Sequence, residues 1–275
     1  MNDVEIPSGK RSGAVPALAV PGMMDAHCHL EQKETFFSRD QLISDCRAAG
    51  MAALVTVCAR PQDLRLTLDI AGKHKGFVFP IAGIHPLEAA SSSETGIDSY
   101  IEGIRARRSE LKAIGEIGID DVLVKDPAKR QRSREVFLQF IGLANELGLP
   151  ISIHCREAYP EVMKKLSDHG AKRVVFHYFN QPASVGDIAD QGWLLSLPVT
   201  LALSGRRLSK IVKEADDHAA DIVVETDSPI ELACGKRITP LDVVLLIEAI
   251  AKEKEEDAAL ISAETARTTS EFFSL

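Results

Sequence analysis

The chain has 275 residues, 45% of them hydrophobic and 26% charged, enough apolar material for a sizeable core, which excludes disorder as its main state. Lys and Arg number 32 against 40 Asp and Glu, a formal charge of -8, so the bulk field does not attract polyanions and any nucleic-acid contact must be local. Five cysteines, at 28, 46, 58, 155 and 234, form an odd set without CxxC spacing; this argues against a secreted disulfide framework or a thiolate zinc site and suits a reducing cytoplasm.

Residues 1–21 carry Lys10 and Arg11 ahead of a short stretch, Ala14 to Val20, which Pro16 interrupts and Pro21 closes. That is a poor signal-peptide core, and the segment reads as a flexible N-terminal arm. No uncharged apolar run approaches the roughly 18 residues that a membrane span needs. The length fits either two small domains or one large α/β barrel.

From Gly22 onward, short apolar segments alternate with longer stretches of helical periodicity, and eight such pairs can be counted. The strand candidates are 23–29, 52–58, 77–84, 113–118, 150–154, 173–177, 193–197 and 221–226, each rich in Val, Ile or Leu, as strands buried on both faces tend to be. Asp126-Pro127 and Thr239-Pro240 place an N-cap before a proline, while Gly50, Gly76, Gly148 and Gly170 sit where helices should stop. Eight units without a linker-like tract predict a single (β/α)8 TIM barrel over residues 22–275. A doubly wound open sheet is the alternative, but no GxGxxG follows the first strand and no GxxxxGK[ST] occurs.

Five of the eight histidines, His27, His29, His85, His154 and His177, fall at or one residue past the ends of the first, third, fifth and sixth strands. Strand C-termini converge on the face where this architecture holds its active site. The other three, His74, His169 and His218, lie in polar surroundings, where His74 and His169 suit a helix C-terminus; none is given a function. His27 and His29, two apart on a strand, project to one side and can grip one ion, though the pair alone is as readily a chance one. Asp25 extends that face and could orient a ligating imidazole.

Glu116 ends the fourth strand and Asp227 follows the eighth; an ionised carboxylate in a barrel core is costly unless it is paired or binds a metal. His27, His29, Asp227 and Glu116 make one candidate site, and Glu116, His154 and His177 a second, with Glu116 bridging. Imidazole and carboxylate donors without thiolate suit Zn, Mn or Mg. Two such ions about 3.5 to 4 Å apart form a clamp for phosphate-ester hydrolysis. Cys28 and Cys155 alternate with ligands and should point away from the mouth.

The chain resembles the TatD family of metal-dependent deoxyribonucleases, a branch of the amidohydrolase-like barrel hydrolases. The resemblance runs from Met24 to about Phe273 and rests on six ordered elements: Asp25-Ala26-His27-Cys28-His29, Gly83-Ile84-His85-Pro86, Gly115 to Asp120, Pro150 to Ala158, Phe176-His177 and Glu225 to Pro229. It implies a two-metal hydrolase of DNA phosphodiesters, often acting from the 3′ end, with some members linked to D-aminoacyl-tRNA deacylation. Carried over, His27, His29, Glu116, His154, His177 and Asp227 are metal ligands, and His85 and Arg156 resemble phosphate or substrate contacts. Departures fall in the loops: Asp121 replaces an aromatic, Tyr178-Phe179-Asn180-Gln181-Pro182 replaces Phe-Ser-Gly, and Arg237-Ile238-Thr239-Pro240 replaces Arg-Asn-Glu-Pro. These bear on the substrate more than on the ions.

The expected chemistry is attack of an activated water on phosphorus, with Asp227 orienting or deprotonating it, Glu116 in the catalytic pair and Arg156 offering a fork of donors to the phosphate. Lys125, Arg156, Arg206, Arg207, Lys236 and Arg237 fall in expected loops after strands and could make that face locally basic. With 5% aromatics, short DNA ends or small phosphodiesters fit better than long stacked strands. Two rival readings stand: an amidohydrolase-type deaminase or cyclic amidase, against which Lys112 lies at the wrong end of its strand to bridge ions, and a metal-binding scaffold without turnover.

Overall fold

The structure is a computed structural model that describes residues 20–35 and 38–275; most of the expected N-terminal arm lies outside the described residues. Eight parallel strands follow in chain order around one sheet: β1 Met24–Cys28, β2 Ala53–Cys58, β3 Val78–Ala82, β4 Ile114–Asp120, β5 Ile151–Arg156, β6 Val174–His177, β7 Leu194–Pro198 and β8 Ile222–Glu225. The seam between β8 and β1 closes through a parallel bridge from Cys28 to Ser228, with the Asp227 amide donating to the His27 carbonyl at 2.9 Å and the His29 amide to the Ser228 carbonyl at 2.7 Å. Every residue of β2 and β4 is buried, as strands sheltered on both faces require.

The intervening α-helices are α1 Arg39–Ala48, α2 Leu64–Lys73, α3 Pro86–Ala89, α4 Glu94–Ala106, α5 Pro127–Leu147, α6 Tyr159–Asp168, α7 Val185–Ala189, α8 Gly205–Asp217, α9 Val243–Lys254 and α10 Ala258–Phe273. The longest, α5, starts as its sequence foretells: the Asp126 carboxylate accepts the Lys129 amide at 2.9 Å and Pro127 opens the first turn. It stops at Gly148, whose φ of 62° is the left-handed conformation that glycine adopts without strain. Thr239-Pro240 opens a 3-10 turn, Pro240–Asp242, before α9, with the Thr239 amide donating to Asp242 Oδ2 at 2.8 Å. His74, His169 and His218 each cap the C-terminus of a helix, α2, α6 and α8.

Three strands end two residues away from the sequence reading, and all three shape the site. β3 stops at Ala82, because the backbone beyond it lies against β4: a Cβ on Gly83 would stand 2.6 Å from the Glu116 carbonyl oxygen. β4 runs past Gly118 to Asp120 and β5 past His154 to Arg156, pairing Asp120 with Arg156. Gly118 permits this extension, since a Cβ there would meet the His154 carbonyl oxygen at 1.8 Å.

Candidate metal centre

At the C-terminal rim the six expected ligands come together. His27 Nε2 and His29 Nε2 stand 3.4 Å apart, and Asp227 Oδ1 lies 3.7 Å from the first and 3.3 Å from the second. Glu116 Oε1 is 3.9 Å from His29 Nε2, while its other oxygen, Oε2, is 3.3 Å from His154 Nδ1 and 3.3 Å from His177 Nε2. Donor atoms of His27, His29 and Glu116, and those of Glu116, His154 and His177, lie within 4.8 Å of one another. Glu116 thus turns one oxygen to each cluster. Among the described residues, no lysine or arginine forms an ion pair with Glu116 or Asp227. The donor set fits divalent cations: imidazoles and carboxylates converge with no lysine or arginine among the described residues to balance them.

Three buried carboxylates that sequence reasoning gave no role stand behind the imidazoles. Glu31 Oε1 is 3.2 Å from His29 Nδ1, Asp120 Oδ2 is 3.0 Å from His154 Nε2, and Glu225 Oε1 is 2.8 Å from His177 Nδ1. Each contact occupies the ring nitrogen turned away from the cluster, which fixes the ring and its donor atom. These carboxylates are themselves held. Asp120 Oδ1 accepts the amides of Val122 and Leu123 at 2.9 and 2.7 Å, and Glu225 accepts the Tyr178 amide at 2.8 Å and the Ser196 hydroxyl. A signal existed: Glu31, Asp120 and Glu225 lie two or four residues from His29, Glu116 and Asp227, continuing the alternation that marked the ligands.

The imidazoles of the cluster differ in their hold on a proton. Burial, then the neighbouring His177, lowers His27 well below the ordinary imidazole range. Burial also opposes charge on His154, but the Asp120 and Glu116 carboxylates outweigh it and raise the ring to about 9. His29 is raised against burial by Glu31 and Asp227. Glu116 stays well below the usual carboxylate range despite burial, because His154, His177 and His85 surround it.

Asp25 corrects the sequence reading, for it touches no imidazole ring. Its Oδ1 accepts the amides of His27 and Thr226 at 3.2 and 3.0 Å, and its Oδ2 lies 2.5 Å from Thr226 Oγ1. The register of β1 shifts between Asp25 and Cys28, so this side chain meets the backbone across the seam. Cys28 turns from the mouth, its thiol donating to the Val55 carbonyl at 3.4 Å. Cys155 departs from expectation: it is partly exposed and borders the mouth, where β5 reaches the rim. Lys112 lies away from the cluster, its ammonium on the Ser274 carbonyl at 2.7 Å.

Two cavities open over the ligands. One of about 330 Å³ is lined by His29, Glu116 and His85 with Glu31, Glu34 and Glu88. The other, of about 500 Å³, is lined by His154, His177 and Asp227 with Arg156, Tyr178 and Arg207. His85 caps α3, its Nδ1 accepting the Leu87 amide at 3.1 Å, and presents its ring edge-on to His154 with centroids 4.5 Å apart. Burial pushes it down to about 4, so it is neutral near pH 7. Arg156 is exposed at the end of β5, and its guanidinium pairs with neither Glu157 nor any other described residue. Of the other basic residues expected here, Lys236 is engaged by Asp242 at 2.9 Å and Arg237 by the Glu34 carbonyl at 3.2 Å, Lys125 and Arg206 line neither cavity, and Arg207 shares the larger one with Arg156.

A parallel (β/α)8 barrel with imidazoles and carboxylates from five of its strands converging at one rim defines a metal-dependent barrel hydrolase. The chain belongs to the TatD related DNase family, whose model matches residues 24–274. It is similar to deoxyribonuclease TATDN3 of Homo sapiens, 28% identical over 244 residues covering 85% of this chain and 88% of that protein. It is 26% identical over 253 residues to the 3′-5′ ssDNA/RNA exonuclease TatD of Musicola paradisiaca, covering 87% of this chain and 93% of that one. The solved structure of YjjV, a TatD homologue from Escherichia coli, shares the fold with a TM-score of 0.80 at 18% identity, over 92% of this chain and 98% of that one. Among the described residues no helix is long and apolar enough to cross a membrane.

Proposed function

We propose that the chain is a two-metal phosphodiesterase acting on DNA ends or small phosphodiesters, with residues 22–275 as one catalytic barrel. His27, His29, Asp227 and Glu116 would hold one divalent ion, and Glu116, His154 and His177 would hold the other, with Zn, Mn or Mg as the candidates. The observation that carries this reading is Glu116, whose two oxygens serve the two histidine clusters separately. Membership of a DNase family and the exonuclease relative support the substrate class.

When bound, the ions supply Lewis-acid stabilisation of phosphate charge and ease deprotonation of water. Asp227 accepts the proton of the attacking water: its side chain is 21% exposed against 5% for Glu116, so it alone of the two reaches solvent readily. Glu116 stays ionised and fixes the spacing of the two clusters. Arg156 offers parallel N–H donors to the phosphate and neutral His85 donates from Nε2 on the opposite side, so the phosphate is oriented between two walls.

The reading is tested by hydrolysis of bis-p-nitrophenyl phosphate and of oligodeoxynucleotides labelled at the 3′ end. Activity lost in chelator and restored by Mn or Zn supports it. Metal-loaded protein that cleaves dihydropyrimidines or aminoacyl-tRNA while sparing both phosphodiesters contradicts it.

A further inference from the structure

The two cavities over the metal centre differ in charge. Leaving the ligand Glu116 aside, the smaller one presents Glu31, Glu34 and Glu88 against Lys33 and Arg60, and Arg60 is committed to Asp63 at 2.6 Å. Leaving the ligand Asp227 aside, the larger presents Arg156 and Arg207 against Glu157, and neither guanidinium has an ion-pair partner among the described residues. A polyanion crossing the mouth is therefore repelled on one side and drawn to the other.

The larger cavity, at about 500 Å³, exceeds what a single phosphate group fills. Its two arginines come from separate elements: Arg156 from the end of β5, beside the ligand His154, and Arg207 from the first turn of α8. The same cavity is lined by Tyr178, the residue after the candidate ligand His177. Its amide donates to Glu225 at 2.8 Å, its hydroxyl accepts a bond from Thr200 at 3.1 Å, and its ring centroid is 5.8 Å from that of His177. Tyr178 is thus tied at both its amide and its hydroxyl, a fixed aromatic wall in the cavity that the two arginines also line.

We propose that Arg207 binds the phosphate adjacent to the scissile one and is a specificity-determining residue: it makes the site favour strands carrying consecutive phosphates over isolated phosphodiesters. The proposal rests on the phosphodiesterase reading above. Arg156 serves the scissile group next to the ligands, Tyr178 flanks the sugar and base between, and Arg207 takes the next anion along the strand. Tyr178, Asn180 and Gln181, in the segment where the chain departs from its family's pattern, and Arg207 at the start of α8 line this subsite.

The test compares dithymidine monophosphate bearing free terminal hydroxyls with the same dinucleotide phosphorylated at both ends, using manganese-loaded full-length protein. Wild-type protein should show a higher kcat/KM for the phosphorylated form, carried by a lower KM. In Arg207→Ala that preference should fall about tenfold, the loss of one charge-assisted phosphate contact, and Arg207→Lys should restore it only in part. Arg206→Ala, one residue away and outside the cavity lining, should retain the preference. An unchanged preference in Arg207→Ala, or an equal fall in Arg206→Ala, overturns the proposal. If neither dinucleotide is hydrolysed, the phosphodiesterase reading fails. Equilibrium binding of the two dinucleotides in chelator then decides the subsite separately: equal affinities in wild-type and Arg207→Ala protein overturn it.

Discussion

Asp25 and Thr226 lock the barrel seam beneath the candidate metal centre. The Asp25 carboxyl takes the Thr226 amide at 3.0 Å and lies 2.5 Å from its hydroxyl, joining the strand that carries His27 to the one that leads into Asp227. Burial is the largest influence on this group and pushes it up to about 8 from 3.8, against the opposing hydrogen bonds from Thr226 and His27. Because the folded value is raised, the stability it confers is complete below pH 3.8 and is lost as pH rises toward 8. We expect Asp25→Asn, whose side-chain oxygen can still accept the His27 and Thr226 amides, to fold and to lack this dependence. Urea denaturation in chelator from pH 4 to pH 8 should show the stability of the wild type falling relative to the variant; a constant difference would count against a buried neutral carboxyl. Asp25→Ala, which strands three donors, should cost about 2 to 4 kcal/mol.

Asp227→Asn should lower kcat on bis-p-nitrophenyl phosphate by about 10² to 10⁴-fold while the fold persists, because the proton acceptor is lost. Circular dichroism establishes the fold, and steady-state kinetics at saturating manganese separates the chemistry from weakened metal binding. Full activity would remove Asp227 from this role.

The carboxylates behind the histidines should act on metal affinity. Asp120→Asn or Glu225→Gln frees the outer nitrogen of His154 or His177 from its charged partner, and each should weaken zinc binding about 10 to 100-fold in competition with a chromophoric chelator. Unaltered affinity in both would mean that barrel packing alone orients the rings.

Arg156→Ala should raise KM for phosphodiesters about tenfold with a smaller change in kcat, and Arg156→Lys should recover little, since a single ammonium cannot reproduce two parallel donors. A kcat effect with constant KM would place Arg156 in the chemical step.

Much of this was legible from the chain. Alternation of buried runs with helical periods located all eight strands, and the Asp126-Pro127 to Gly148 punctuation located α5 at both ends. The candidate ligands stood out because a carboxylate or imidazole that closes an apolar strand is costly to bury unless a counter-charge or a metal ion meets it. Asp25 was misassigned because a register shift in β1 changes which neighbour a side chain meets, and local spacing cannot report that. The extensions of β4 and β5 escaped notice because Gly118, ordinarily a strand terminator, here serves a close backbone approach. Nor could spacing separate His85 from Arg156 into different cavities, since that division arises only when the rim is assembled.

The most direct test of the two-ion centre is anomalous diffraction from crystals grown with manganese, paired with elemental analysis of the same protein. We expect two ions per chain, one held by His27, His29 and Asp227, the other by His154 and His177, with Glu116 touching both. A single ion, or two ions of which Glu116 touches only one, would contradict the account.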